Sequence, residues 1–165
     1  MPKPTVYAFV QDAPGDLLEA VKTIPKVRYG ASITGRFRYF LAIESTPKAL
    51  EKVIDRLSAA GATGVETLVP MGPAMLKHSK MEARAAFVSI QAEPGQAENL
   101  YDRVVQMEGV GGAALVAGTG VDIVAEVNGS TDAQLQQRVL NVNGLRGVGR
   151  SDSSLAMRQY KRPGA

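Results

Sequence analysis

The side chains that could do covalent or metal chemistry are few. The 165 residues include one histidine, His78, and neither cysteine nor tryptophan. That composition rules out disulfides, thiolate-held metals and cysteine nucleophiles. His78 stands beside Lys77 and Lys80 in a stretch without sustained periodicity, where a solvated linker histidine is the simpler reading than a general base. The glycines from Gly109 to Gly120 could suggest a nucleotide loop. They fall between two strands and lack the Gly-Lys-Ser/Thr ending that a phosphate cradle needs. The sequence therefore predicts no catalytic residues, no metal, no cofactor and no enzyme activity.

What remains is chemistry suited to binding. Gly35, Gly118 and Gly120 could offer backbone N–H groups to a ligand carboxylate, since glycine admits close approach to the main chain. They could equally be hairpin glycines that need positive φ. Arg38 could hold the carboxylate of a zwitterion and Asp122 its ammonium. Alternatively the two are interdomain charges, paired between sheets. Ser151 and Ser153 could add hydroxyl hydrogen bonds, or be ordinary strand residues.

The elements that must position these residues come from an internal repeat. "VYAFVQDAPGDLLEAVKTIPKVRYGASITG" from Val6 and "AFVSIQAEPGQAENLYDRVVQMEGVGGAALVAG" from Ala86 each open with an alternating strand ending in glutamine. Each passes a Pro-Gly turn and a helix, then reaches a strand closing on Gly35 or Gly118. "FRYFLAIES" and "VDIVAEVNG" alternate strictly, as strands do. Thr46 with Pro47 at the first helical position, and Thr131 with Gln134 three residues on, read as helix starts. Leu50, Val53, Ile54 and Leu57 make one helical stripe, and Leu135, Val139 and Val142 the other. Gly61 and Gly144 stand at C-terminal cap positions. Final strands are predicted at about 63–70 and 146–158.

The order βαββαβ, twice, predicts an α+β fold of two tandem ferredoxin-like domains. Residues 1–71 form the first, 72–83 a linker, and 84–165 the second with a short basic tail. Strand alternation assigns Val6, Ala8 and Val10, with Phe37, Tyr39, Leu41 and Ile43, to the helix-covered face. Ala86, Val88 and Ile90, with Val121, Ile123, Ala125 and Val127, are their counterparts. The other face carries Tyr7, Phe9, Phe40, Phe87 and Val124, an apolar set too large to leave in water. The expected solution is sheet-to-sheet stacking of the two copies as an intramolecular pseudo-dimer, a dimeric α+β barrel. One extra residue in the second copy must be absorbed in the Gly118–Gly120 turn to keep Asp122 in the phase of Arg38.

With these residues in view, the chain resembles the effector-binding domain of the leucine-responsive regulatory protein/AsnC family of transcription regulators. "AFVSIQAEPG", "AGTGVDIVAEV" and "GVGRSDSSLAM" carry the likeness in the second copy. The family shows a Thr-Gly-x-aromatic-Asp run at the hairpin. The first copy keeps Thr34, Gly35 and Phe37 but has Arg38 at the acid position, whereas the second keeps Gly118 and Asp122. Ser151 and Ser153 fall at later threonine positions of the family. The resemblance implies a small-molecule effector of the amino-acid class and assembly into homo-oligomers or with a partner regulator. The first strand begins within about six residues of Met1, which leaves no room for a DNA-reading helix, so direct nucleic-acid binding is not expected. The alternatives are a small α+β barrel enzyme of monooxygenase or cyclase type, and a purely structural oligomeric scaffold.

Charge adds little. The net charge is +3, and the local excess of Arg158, Lys161 and Arg162 reads as a solvated tail rather than a nucleic-acid face. No run approaches the ~18 apolar residues of a membrane span and no secretory pattern opens the chain. A cytoplasmic location is expected.

Overall fold

Alternating apolar residues make strands wherever the sequence calls for them, and two four-stranded βαββαβ sheets result. The computed structural model describes residues 4–71, 84–118 and 120–163. The predicted linker and His78 lie outside the described residues. The chain divides into two compact units, Met1–Val69 together with Met157–Ala165, and Pro70–Ala156.

In the first unit, β1 (Thr5–Asp12) leads to α1 (Leu17–Ala20), which tightens into a 3-10 turn over Val21–Thr23. Then come β2 (Val27–Ile33), β3 (Tyr39–Glu44), α2 (Leu50–Ala59) and β4 (Thr63–Pro70). Antiparallel pairing places β1 between β3 and β4, and β3 between β1 and β2. Val6 faces Ile43 and Ala8 faces Leu41 across the ladder. These residues, with Val10 and Tyr39, pack against Leu17, Val21, Val53 and Leu57 of the helices. A ten-residue helix is marginal on its own in water. The burial of Leu50, Val53 and Leu57 holds α2 in place, at ~1.5–3 kcal/mol for each fully buried side chain.

Phe37 is a correction to the expected facing. β3 begins only at Tyr39, so the alternation does not extend back to residue 37. Phe37 instead meets Phe9, centroids 5.2 Å apart, on the other face. There Tyr7 stacks on Phe40 at 5.7 Å, and Phe9 and Tyr29 approach the Phe40 ring at 5.2 and 6.4 Å.

The second unit repeats the plan with β5 (Arg84–Ala92), α3 (Ala97–Val104), β6 (Val110–Gly118), β7 (Val121–Gly129), α4 (Asp132–Asn143) and β8 (Val148–Lys161). β5 pairs with β7 and β8, and β7 with β6. Ala86, Val88, Ile90, Ile123, Ala125 and Val127 meet Leu100, Val104, Leu135, Val139 and Val142 in its core. Phe87 and Val124 are buried on the opposite face. Thr131 caps α4 as expected, accepting from the Gln134 N–H at 3.1 Å. The Gln134 amide oxygen reaches back to the Ser130 N–H at 2.8 Å, one residue earlier than the usual capping box. At α2 the Thr46 hydroxyl accepts from the Ala49 N–H at 3.2 Å, but residues 47–49 form a turn and the helix proper starts at Leu50.

The extra residue of the second copy is absorbed on β6, ahead of the turn and not within it. Leu115 pairs with Ile123 and Gly118 with Val121, so the register slips by one over residues 116–117. A bulge there keeps Gly118 and Val121 as the closing pair of a two-residue hairpin. Asp122 is thereby opposite in facing to the core residue Ile123.

The final strand exceeds its predicted end at 158. Residues up to Leu155 pair with β5 in the second unit, whereas Met157 onward belongs to the first. The Arg162 N–H donates to Arg28 O at 2.9 Å. The Arg158 N–H donates to Ser32 Oγ at 3.1 Å, and the Tyr29 hydroxyl to Gln159 Oε1 at 2.5 Å. β2 is thus flanked by the chain's last residues. In the second unit, the Met71 N–H donates to Leu115 O at 2.9 Å. Sequential halves therefore do not coincide with compact units, because strands of this length outrun a single sheet.

Candidate functional site

The β2–β3 hairpin of the first unit is closed by the Ile33 N–H donating to Arg38 O at 2.8 Å. Gly35 turns it with φ +98°, a conformation that costs any residue with a Cβ about 1–2 kcal/mol. Arg38 is fixed twice. Its N–H donates to Val10 O at 2.9 Å, and its guanidinium Nη1 donates to Asp12 Oδ1 at 2.7 Å. The same Asp12 oxygen accepts the Ala13 N–H at 2.8 Å. The Arg38 hydrogen bond, then that of Ala13, holds the Asp12 carboxyl below its ordinary value, and Asp12 in turn raises Arg38.

The next residue along β3, Tyr39, is buried. Its hydroxyl accepts from the Leu17 N–H and donates to Gly15 O, both at 3.4 Å. Asp16 caps α1 by accepting the Leu18 N–H at 3.0 Å. It also pairs with Arg158 Nη2 at 2.8 Å, and that arginine pulls its carboxyl down.

Arg158 reaches this place because the end of the chain is fastened to the first unit. The Arg162 guanidinium donates to Val21 O at 2.8 Å, Val27 O at 2.9 Å and Ile24 O at 3.0 Å, with longer contacts to Lys22 O. The basic tail read as a solvated end is thus, at Arg158 and Arg162, built into the fold.

Between the hairpin and this last segment lies a cleft of about 360 Å³, lined by Ser32, Ile33, Arg38, Tyr39, Met157 and Arg158. The volume sits at the small end of the ~300–1,000 Å³ typical of small-molecule sites. Its walls are apolar at Ile33, Met157 and the Tyr39 ring, and cationic at two arginines whose side chains are each 58% exposed.

Of the residues singled out from sequence, Arg38 lines the cleft and Gly35 shapes the hairpin beside it. The others lie in the second unit. Gly118 ends β6, Gly120 turns with φ +74°, and the Asp122 carboxylate accepts the Ala92 N–H at 2.8 Å. Ser151 and Ser153 stand opposite Ile90 and Val88, on the helix-covered face, which is the reverse of the Asp122 face. Ser153 Oγ accepts from Asn143 Nδ2 at 3.2 Å. The structure therefore does not gather these serines with Asp122.

Sequence reasoning missed Ser32, Met157, Arg158, Asp12 and Asp16. Only Arg158 had left a signal, as part of the basic cluster. Its meaning depends on where the last strand docks, which periodicity does not report.

The fold defined by the two βαββαβ units is that of dimeric α+β barrel proteins. The siroheme decarboxylase NirDL superposes with a TM-score of 0.75 at 10% identity, over 96% of this chain and 72% of its own. A chlorite dismutase from Candidatus Nitrospira defluvii gives 0.62 at 9% identity, over 94% and 91%. An anthrone oxidase-like protein gives 0.51 at 12% identity, over 95% and 92%. Residues 85–165 match the family model of the Lrp/AsnC ligand binding domain. No curated protein matches the sequence.

One expectation is corrected by these likenesses. The poverty of cysteine, tryptophan and histidine had argued against an enzyme. Yet a decarboxylase and a dismutase share this fold over nearly the whole chain, so the fold hosts catalysis and composition alone does not exclude it. The described residues contain no helix long and apolar enough to cross a membrane.

Proposed function

We propose that this protein is a ligand sensor that takes up a small carboxylate-bearing molecule of the amino-acid class in the first-unit cleft. Its occupancy would then be passed to a partner regulator or to further copies of the chain. The observation that carries this reading is the cleft itself: two aspartate-anchored arginines beside an apolar wall of Ile33, Met157 and Tyr39. Arginine offers a planar fork that matches a carboxylate, and a fork already held in place loses less freedom on binding. Met157 and Arg158 fall inside the stretch that matches the Lrp/AsnC ligand binding domain, which supports a binding role for this end of the chain.

Calorimetric titration and thermal melting with the proteinogenic amino acids test it. A ligand at a hundredfold excess over its Kd stabilises by ~2.7 kcal/mol. For a chain of this length that is roughly 5–11 °C in Tm. If no amino acid or related carboxylate moves the Tm, the reading fails.

A second reading, catalysis on the bound molecule, is favoured by the enzymes among the fold relatives. NMR of a bound ligand followed over hours distinguishes the two. A sensor leaves its spectrum unchanged, whereas an enzyme converts it.

A further inference from the structure

The cleft's charge pattern says more about the ligand than that it is small. Its polar lining consists of two guanidinium groups, the Ser32 hydroxyl and the Tyr39 side chain, and no carboxylate is among the lining residues. Asp12 and Asp16 are outside the lining, each engaged with one guanidinium nitrogen. A guanidinium carries five N–H donors. One nitrogen of each is therefore tied to its aspartate, and the rest of each fork is left to meet an anion.

The two cations are anchored separately, Arg38 on the aspartate that ends β1 and Arg158 on the aspartate that caps α1. They are also held independently through their backbones, by Val10 O and by Ser32 Oγ. The two carboxylates near the cleft are already engaged by its arginines. The hydrogen-bonding capacity left over is mainly that of guanidinium donors, which match carboxylate oxygens and not an ammonium.

We infer that the cleft selects a short-chain molecule with two carboxylates, one for Arg38 and one for Arg158, with its methylenes on Ile33, Met157 and the Tyr39 ring. The inference deepens the proposed function and rests on it. Acidic amino acids and simple dicarboxylates share this chemistry. The size agrees: about 360 Å³ is the share of roughly a dozen waters at ~30 Å³ each, enough for a five-carbon diacid with some water retained. Both arginines are kept charged by their aspartates, whose own carboxyls are depressed. Each arginine and its aspartate therefore stay ionised together across the neutral range, and the guanidinium donors that the aspartates do not take remain available there.

The test uses the full chain in thermal-shift and calorimetric titrations with glutarate, 2-oxoglutarate, glutamate, leucine, propionate and sulfate, at matched ionic strength. Glutarate or glutamate is expected to raise the Tm, with leucine, propionate and sulfate inert at the same concentration. Arg38→Gln and Arg158→Gln are each expected to weaken diacid binding at least tenfold. Arg38→Lys, which keeps the charge and loses the fork, should fall between. Melting of each unliganded variant checks its fold.

Response to glutamate but not glutarate identifies the acidic amino acid as the source, and the reverse identifies the simple diacid. Leucine binding as tightly as glutamate would overturn the diacid inference and leave the sensor reading standing. So would sulfate binding as tightly as the diacids, or diacid binding that survives either Arg→Gln change. Silence from every carboxylate would remove both.

Discussion

Arg162→Ala probes the fastening on which the cleft depends. The guanidinium donates to Val21 O, Ile24 O and Val27 O at 2.8–3.0 Å. Those three residues are buried, at 0–2% exposure, so the carbonyls have little recourse to water once the donor is gone. A hydrogen bond to a charged group contributes ~1.5–3 kcal/mol, and three acceptors sharing one guanidinium contribute less than three separate bonds. The longer contacts to Lys22 O at 3.4 Å add little. The stacking of Arg162 over Tyr160 at 5.5 Å adds ~0.5–1 kcal/mol at a partly exposed site. The sum, discounted for cooperation, is a loss of about 3 kcal/mol. For 165 residues that corresponds to roughly 6–12 °C in Tm.

Urea unfolding followed by circular dichroism measures it, with amide hydrogen exchange of residues 157–162 as a local readout. Arg146→Ala, an exposed arginine, is the control and should stay within ~0.5 kcal/mol. A loss below about 1 kcal/mol for Arg162→Ala, or full retention by Arg162→Lys, would refute the argument that a forked donor to several carbonyls holds the last strand.

Gly61→Ala and Gly120→Ala separate clash from strain. Both glycines have positive φ, +95° and +74°, but a Cβ at Gly61 would sit 2.6 Å from Pro14 Cγ whereas nothing lies within 4 Å at Gly120. Denaturant midpoints should show a loss of ~1 kcal/mol at Gly120 and about twice that or more at Gly61. Thr131→Ala removes the α4 N-cap and should cost ~1 kcal/mol, read by the same assay. For Asp12, whose carboxyl is depressed chiefly by Arg38, the stabilisation is complete above the ordinary aspartate range and is lost as pH falls through the lowered value. Asp12→Asn should therefore be less stable than the parent at neutral pH and converge with it in strong acid. A gap that persists in strong acid would rule out the ion pair as its cause.

Much of the fold could be read from the sequence because it rests on periodicities that a single chain displays. The alternation in Val6, Ala8 and Val10 and in Ala86, Val88 and Ile90 reports the buried face directly, since core packing imposes it. The stripes Leu50–Val53–Leu57 and Leu135–Val139–Val142 do the same for the helices. Alternation failed at Phe37 because a hairpin loop has no fixed facing. It also could not place the extra residue of the second copy, because a bulge and a longer turn leave the same pattern downstream. The candidate cleft was legible only at Arg38 and, in the hairpin beside it, Gly35. Its other half comes from Met157 and Arg158, more than a hundred positions away in the chain, and strand partners at that separation leave no local signature.

The difference between the two units at the hairpin, Arg38 in one and Asp122 in the other, has a structural logic. In the second unit Asp122, on β7, accepts the main-chain N–H of Ala92 at the end of β5. In the first unit the N–H one residue further along, that of Ala13, is met by Asp12 on β1 itself. An aspartate therefore satisfies a backbone donor at the same end of both first strands, but from opposite members of the strand pair. With the acid moved to β1, the hairpin position is released to carry Arg38, and the same aspartate then orients it.

The pair Asp12→Ala and Arg38→Asp should restore the second unit's arrangement in the first. The introduced carboxylate would take over the donor at the end of β1, so the double variant should be more stable than the sum of its single changes predicts. It should also lose carboxylate binding, since the cleft would exchange a cation for an anion. Additive single and double effects in urea unfolding would show that the two strands do not trade this role, and the origin of Arg38 would then need another explanation.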